Sequence, residues 1–173
     1  MSGILLCGLN GSGKSTVGKA LAQRLGWEFL DIEDCFFPKD DSDYLYRHPR
    51  SREEAGAMLL QRVQQTEHFV LAAVKADYGQ EVTDLLTLAV WLQADPHTRA
   101  KRVRRRSYEK FGFRMLPGGD LHQVEESFFT FCDGRDDREV ETWLSSLTCP
   151  VIQLDGTGPV QDTVDRVIQE ING

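Results

Sequence analysis

Nothing in this 173-residue chain approaches the roughly 20 consecutive apolar residues that a membrane-spanning helix requires, so no membrane partner is expected. Met1-Ser2-Gly3 runs directly into an apolar segment without a charged leader, which points to a cytoplasmic protein. Cysteine is scarce: Cys7, Cys35, Cys132 and Cys149 are scattered, with no CxxC pair and no histidine at ligand spacing. That pattern argues against zinc and against a disulfide framework, and Cys7, inside an apolar run, reads as a small core residue. No internal repeat, low-complexity tract or linker interrupts the chain, and its length fits one domain over 1–173, present as a monomer or homodimer.

Positive charge is also scarce overall, with a net charge of −7, yet it is concentrated in one place. The window 99–114 holds eight Lys and Arg against the single acid Glu109, leaving 12 basic and 26 acidic residues elsewhere. An acidic surface repels a nucleic-acid backbone, so no nucleic-acid partner is expected. A cationic block on such a protein marks a local anion site or a solvated helix face.

Against these absences stand short apolar runs at 3–8, 27–32, 69–74, 85–92 and 151–155, each separated from the next by helical periodicity. The alternation predicts five parallel strands with helices on both faces of the sheet, an α/β fold. Ser51 with Glu54 forms a capping-box pattern for one helix, and Asp95-Pro96 opens another. Residues 35–50 read as irregular. The glycines and proline of 107–120 predict a mobile loop, with Asp120 as the cap of the helix that follows.

One motif carries chemistry. Gly8-Leu9-Asn10-Gly11-Ser12-Gly13-Lys14-Ser15 fits GxxxxGK[ST] at every defined position, between a buried-type strand and an amphipathic helix. Glycines let successive backbone N–H groups converge on phosphate oxygens, and the helix N-terminus adds its own positive end. Lys14 brings a full charge to the β- and γ-phosphates, and the Ser15 hydroxyl suits Mg²⁺. ATP with Mg²⁺ is therefore the expected ligand, on Asn10, Gly11, Ser12, Gly13, Lys14, Ser15 and Thr16. No Asn-Lys-x-Asp string, which would read guanine, occurs.

With this P-loop, the chain's length and an arginine-rich helix after the fourth strand, the sequence resembles the P-loop nucleoside and nucleotide kinases. The likeness is greatest to the shikimate kinase and gluconate kinase branch, with adenylate kinase as a further relative. The resemblance implies a three-layer P-loop fold with a small helical lid, and transfer of the ATP γ-phosphate to a small-molecule acceptor. Phe29-Leu30-Asp31-Ile32-Glu33 is similar to that family's acidic string, implying Asp31 beside Mg²⁺. Glu33 or, by a one-residue shift, Asp34 then serves as substrate contact and base. Pro49-Arg50-Ser51-Arg52-Glu53-Glu54 resembles its substrate helix and implies that Arg50 contacts the acceptor, within a substrate region spanning about 33–66. The helix bearing Arg99, Arg102, Arg105 and Arg106 resembles the lid, about 99–120, implying Arg102 and Arg106 at the phosphates. Asp155-Gly156-Thr157-Gly158-Pro159 resembles the loop on which adenine packs, through Gly156 and Pro159.

The chain departs from shikimate kinases after the third strand, where a glycine run is replaced by Ala72-Ala73-Val74-Lys75. Lys75 and Asp77, beyond the carboxyl end of that strand, are either acceptor-site residues or ordinary loop residues. The aromatic patch Phe36, Phe37, Tyr44 and Tyr46 either walls an acceptor pocket or packs beneath the substrate helix. The weak match in this region leaves open a second function class, an ATP-binding switch module that controls a protein partner.

Overall fold

The computed structural model describes residues 2–39 and 43–173. Met1 and positions 40–42, within the stretch expected to be irregular and within the expected substrate region, lie outside the described residues. Five strands form one parallel sheet: β1 (Ser2–Cys7), β2 (Glu28–Asp31), β3 (His68–Ala72), β4 (Leu86–Gln93) and β5 (Val151–Asp155), in the order β2-β3-β1-β4-β5. β1 lies at the centre, pairing with β3 in register from Ser2 opposite His68 and with β4 from Gly3 opposite Leu86. Because β1 is covered on both faces, its apolar run is continuous rather than alternating.

Alternate residues of the strands feed two cores. Leu5, Cys7, Phe69, Leu71 and Trp91 meet α3 (Arg52–Gln64), α4 (Gln80–Thr83) and α7 (Arg138–Leu144) on one face. Ile4, Leu6, Val70, Val90 and Leu92 meet α1 (Lys14–Leu25) and α8 (Val160–Asn172) on the other. Burial pushes the Cys7 thiol up to about 12, and it donates to the Val90 carbonyl at 3.4 Å, as befits a core residue. No helix among the described residues is long and apolar enough to cross a membrane.

Above the carboxyl ends of the strands, α5 (Pro96–Phe111), a 3₁₀ turn (Gly112–Met115) and α6 (His122–Asp133) pack on a separate small core of Val103, Met115, Phe129 and Cys132. This is the helical lid. It departs from expectation in two respects. Residues 107–111 continue α5 and 112–115 form the 3₁₀ turn, because Met115 finds burial on Val103 and Phe129 and fastens the segment down. Asp120 does not cap α6, whose N-cap is Leu121; the Asp120 carboxylate is held instead by Arg114 at 2.6 Å.

Elsewhere the local signals are realised. Ser51 Oγ accepts from the Glu54 N–H at 3.2 Å while the Glu54 carboxylate accepts from the Ser51 N–H at 2.8 Å, a complete capping box. Asp95 caps α5 through the Thr98 N–H at 2.9 Å, with Pro96 following at the first helical position. The second strand stops one residue earlier than expected, at Asp31, and the third two earlier, at Ala72. After Asp31 the chain turns into the short helix α2 (Ile32–Phe36), because the Asp31 carboxylate accepts from the Glu33 N–H at 3.1 Å and so caps it.

Candidate nucleotide and acceptor site

The loop between β1 and α1 is shaped by close backbone approach. Gly8, Gly11 and Gly13 have φ of 134°, 82° and 104°, which side-chain-bearing residues rarely adopt. A Cβ on Gly11 would lie 2.5 Å from the Arg99 carbonyl oxygen, and one on Gly156 would lie 2.2 Å from the Ser12 carbonyl oxygen. The lid helix and the loop after β5 thus press directly on the P-loop backbone. At the start of α1 the first N–H groups have no partner within the helix and face the loop's concavity.

This loop forms one end of a cavity of about 1070 Å³, at the upper limit of the roughly 300–1,000 Å³ typical of ligand sites. Asn10, Gly11, Gly13, Lys14, Ser15 and Thr16 line it. Ser12 does not: the whole residue is buried beneath the loop, and its hydroxyl has no hydrogen-bond partner among the described residues. Lys14 Nζ donates to the Leu9 carbonyl at 3.1 Å, curled over the loop it serves. Burial lowers its pKa to about 8, and Arg106 lowers it too, while the charges of Glu33 and Asp31 act in the opposite direction.

Ser15 Oγ donates to Asp31 Oδ2 at 2.6 Å, joining the P-loop to the end of β2. Two hard oxygen donors side by side fit Mg²⁺, which takes one or two protein oxygens beside phosphate and water. Glu33 lines the cavity and faces the Arg106 guanidinium at 3.8 Å. Asp34, one residue on, points elsewhere and pairs with Lys39 at 3.7 Å. The arginine helix divides by phase. Arg99 is buried and donates to the Ala94 carbonyl at 3.2 Å. Arg102 lines the cavity and bridges the Gly156 and Gly11 carbonyls at 2.8 and 3.3 Å. Arg106 lines the cavity one turn further along. Gly156 and Gly158 line it as well, whereas Pro159 stands off it as the N-cap of α8.

At the other end of the cavity Lys75 and Asp77 both line it, 3.5 Å apart. Arg50 does not. It precedes the cap Ser51 and turns back to donate to the Cys35 carbonyl at 3.0 Å. Arg52, the first residue of α3, takes the cavity position instead, 2.7 Å from the Asp77 carboxylate and over the Tyr78 ring at 4.8 Å. Partial burial opposes ionisation of Asp77, but the Arg52 hydrogen bond and charge, with Lys75, hold its pKa below the usual carboxylate range. The aromatic patch does wall the pocket, since Phe36, Phe37, Tyr44 and Tyr46 all line it.

Two lining arginines had no distinctive sequence signal. Arg52 stands two residues after Arg50 in the same charged stretch, and the helix boundary at Ser51 separates them. Arg135, alone after α6, reaches the P-loop through Asn10 Oδ1 at 3.2 Å and is held by Glu139 at 2.9 Å. Its neighbours Asp136, Asp137 and Arg138 make it look like part of an ordinary charged turn.

Comparison with known proteins agrees with this geometry. An Uncharacterized protein YqaC of Bacillus subtilis (strain 168) is 25% identical over 179 residues, covering 98% of this chain and 97% of that protein. A shikimate kinase of Gloeobacter violaceus is 28% identical over 129 residues, covering 69% of this chain and 70% of that protein. Among solved structures, deoxyadenosine kinase from M. mycoides with bound dATP superposes with a TM-score of 0.61 at 15% identity, covering 100% of both chains. A family model described as an AAA domain matches residues 4–114, from β1 through the P-loop and the lid helix. The chain therefore belongs to that AAA-domain family of P-loop proteins and has the fold of the P-loop kinases.

Proposed function

We propose that this protein is an ATP-dependent phosphotransferase that moves the γ-phosphate of ATP to a small-molecule acceptor. The observation that carries the proposal is a single cavity with two chemically different ends, the P-loop at one and Arg52, Lys75 and Asp77 at the other. A site for hydrolysis alone has no need of the second end. The relatives named as kinases support the same reading.

In this mechanism Asn10, Gly11, Gly13, Lys14, Ser15 and Thr16 hold the triphosphate, and the loop at Gly156 and Gly158 receives the base. Ser15 and Asp31 would hold Mg²⁺, which supplies charge neutralisation at the phosphates when bound. Arg102 ties the lid helix to both nucleotide loops, so its contacts to Gly11 and Gly156 set where the lid stands. Arg106 and Lys14 bring positive charge to the transferred group, where a loose transition state spreads negative charge over its oxygens. Glu33 accepts the acceptor's proton as the new oxygen–phosphorus bond forms and the bond to the β–γ bridging oxygen breaks, releasing ADP. Asp34, turned away from the cavity, is the weaker choice for this role. Arg52, Lys75 and Asp77 orient the acceptor, and the lid excludes water that would otherwise take the phosphate.

A coupled assay of ADP release across a panel of hydroxyl- and phosphate-bearing metabolites tests the proposal. The expected result is turnover that rises sharply with one acceptor class and is lost in Lys14→Ala. ATP turnover indifferent to every acceptor would sink it and would favour an ATP-dependent switch acting on a protein partner.

A further inference from the structure

The walls of the acceptor end are apolar to a degree that small polyhydroxylated acids do not require. Phe36 contacts Tyr78 and Phe37 with ring centroids 5.9 and 6.3 Å apart, and Phe37 meets Tyr46 at 4.8 Å. All four line the cavity, so the rings form one continuous wall starting beside Arg52. Tyr46 and its neighbour Tyr44 present rings rather than hydroxyls. Tyr46 Oη accepts from Lys110 Nζ at 2.6 Å, and Tyr44 Oη donates to Glu125 Oε1 at 2.7 Å.

That last bond leads into α6, which supplies a second wall. Glu125, Phe129 and Cys132, at helical spacing, are buried on the lid's own core side. Val124, Phe128 and Phe131 repeat the spacing one residue earlier and line the cavity. Val124 is 43% exposed and Phe131 58%, an unusual cost for a surface helix unless a ligand covers them. Polar groups also line the cavity: Arg52, Lys75 and Asp77 at one end, Glu33 near the P-loop, and Arg105, Glu109, Ser127 and Arg135 around the lid.

Resting on the phosphotransferase reading, we infer that the acceptor is an alcohol carried on an aromatic ring body, lodged between the Phe36–Tyr46 wall and the Val124–Phe131 stripe. Its polar substituent meets Arg52 and Asp77 and its hydroxyl meets Glu33. A polyhydroxylated acid would strand hydroxyls against these rings without partners, an arrangement that costs binding.

The test uses the whole protein with thymidine and 4-hydroxybenzyl alcohol as ring-bearing alcohols, and gluconate and shikimate as polyhydroxylated acids. Thermal shift with ADP and Mg²⁺ reads binding, and ADP release from ATP reads transfer. A ring-bearing alcohol is expected to raise the melting temperature. Val124→Ser and Phe131→Ser, both at exposed positions, are expected to raise its half-saturation about tenfold while leaving that of ATP unchanged. Phe131 also stacks on Arg135 at 5.2 Å, so Val124→Ser is the cleaner variant. Stabilisation by gluconate or shikimate alone, or by none of the four probes, overturns the inference. So does a shift to smaller assemblies in Val124→Ser without any change in ligand binding, which would make the stripe a subunit contact. Ring-dependent stabilisation that responds to the wall variants but yields no ADP keeps the inference and rejects the phosphotransferase reading instead.

Discussion

The two ends of the cavity are built in opposite ways. The nucleotide end is local: one glycine-rich turn, the first turn of α1 and one carboxylate at the end of β2 make most of it, and its key contacts involve backbone. The acceptor end is assembled from side chains of α2, the segment around Tyr44 and Tyr46, the first residue of α3, the loop after β3 and α6, which meet only in the folded chain. Phosphate is the same in every nucleotide and can be recognised by backbone N–H groups, so its site tolerates little variation. An acceptor is recognised by side-chain shape, and that part of the cavity is free to change.

The sharpest way to break this contrast is at Lys14. Its replacement by Ala is expected to lower acceptor-dependent ADP formation by about 10²–10³-fold or more, as for loss of a principal transition-state charge. An activity within tenfold of the parent would show that the nucleotide end is not where the phosphate is activated.

The acceptor end is probed by the pair Arg50 and Arg52. Arg52→Ala is expected to raise the acceptor's half-saturation about tenfold, equivalent to about 1.4 kcal/mol, with that of ATP unchanged. Arg50→Ala should leave both unchanged and cost about 1 kcal/mol of stability through its lost bond to Cys35. The reverse result, read from saturation curves of the two variants, would restore Arg50 to the pocket.

Tyr44→Phe tests how the two walls are joined. It removes the hydroxyl that meets Glu125, leaving a buried carboxylate whose other oxygen already has no hydrogen-bond partner. A loss of about 1–3 kcal/mol in urea denaturation is expected, and an unchanged midpoint would mean that Glu125 is satisfied some other way.

The smallest effect is one of pH. Lys14 sits at about 8 in the nucleotide-free fold against 10.5 ordinarily. Between those values the unfolded chain holds a proton that the folded chain has released, so this group makes stability rise with pH across that window. Nucleotide affinity should move the other way, weakening above about pH 8 as the ammonium is lost. Melting curves and ADP titrations at pH 7 and pH 9 should diverge in sign, and Lys14→Met should abolish the divergence.

How much of this was legible beforehand follows from the same contrast. The five strands, the capping box at Ser51, the cap at Asp95 and the P-loop depend on residues within a few positions of each other, and the fold forms each of them. The loop expected at 107–120 is found only over 116–120, around Pro117, Gly118 and Gly119; 107–115 is helical because Met115 packs on Val103 and Phe129. Glu33 and Asp34 are adjacent and chemically alike, and the cap that Asp31 forms on α2 decides which lines the cavity. Arg50 and Arg52 were separable only by the helix boundary at Ser51. Arg135 was invisible because its partner Asn10 lies on the far side of the chain.

The sequence by itself determined that this protein folds as a parallel α/β sheet and carries a P-loop, since strand periodicity and a glycine-lined turn are short-range properties. Tertiary structure alone decided that Arg52 meets Asp77, that Glu33 faces Arg106, and that α6 turns Val124, Phe128 and Phe131 into the same cavity. Those outcomes depend on how elements distant in sequence meet, which no run of neighbouring residues specifies.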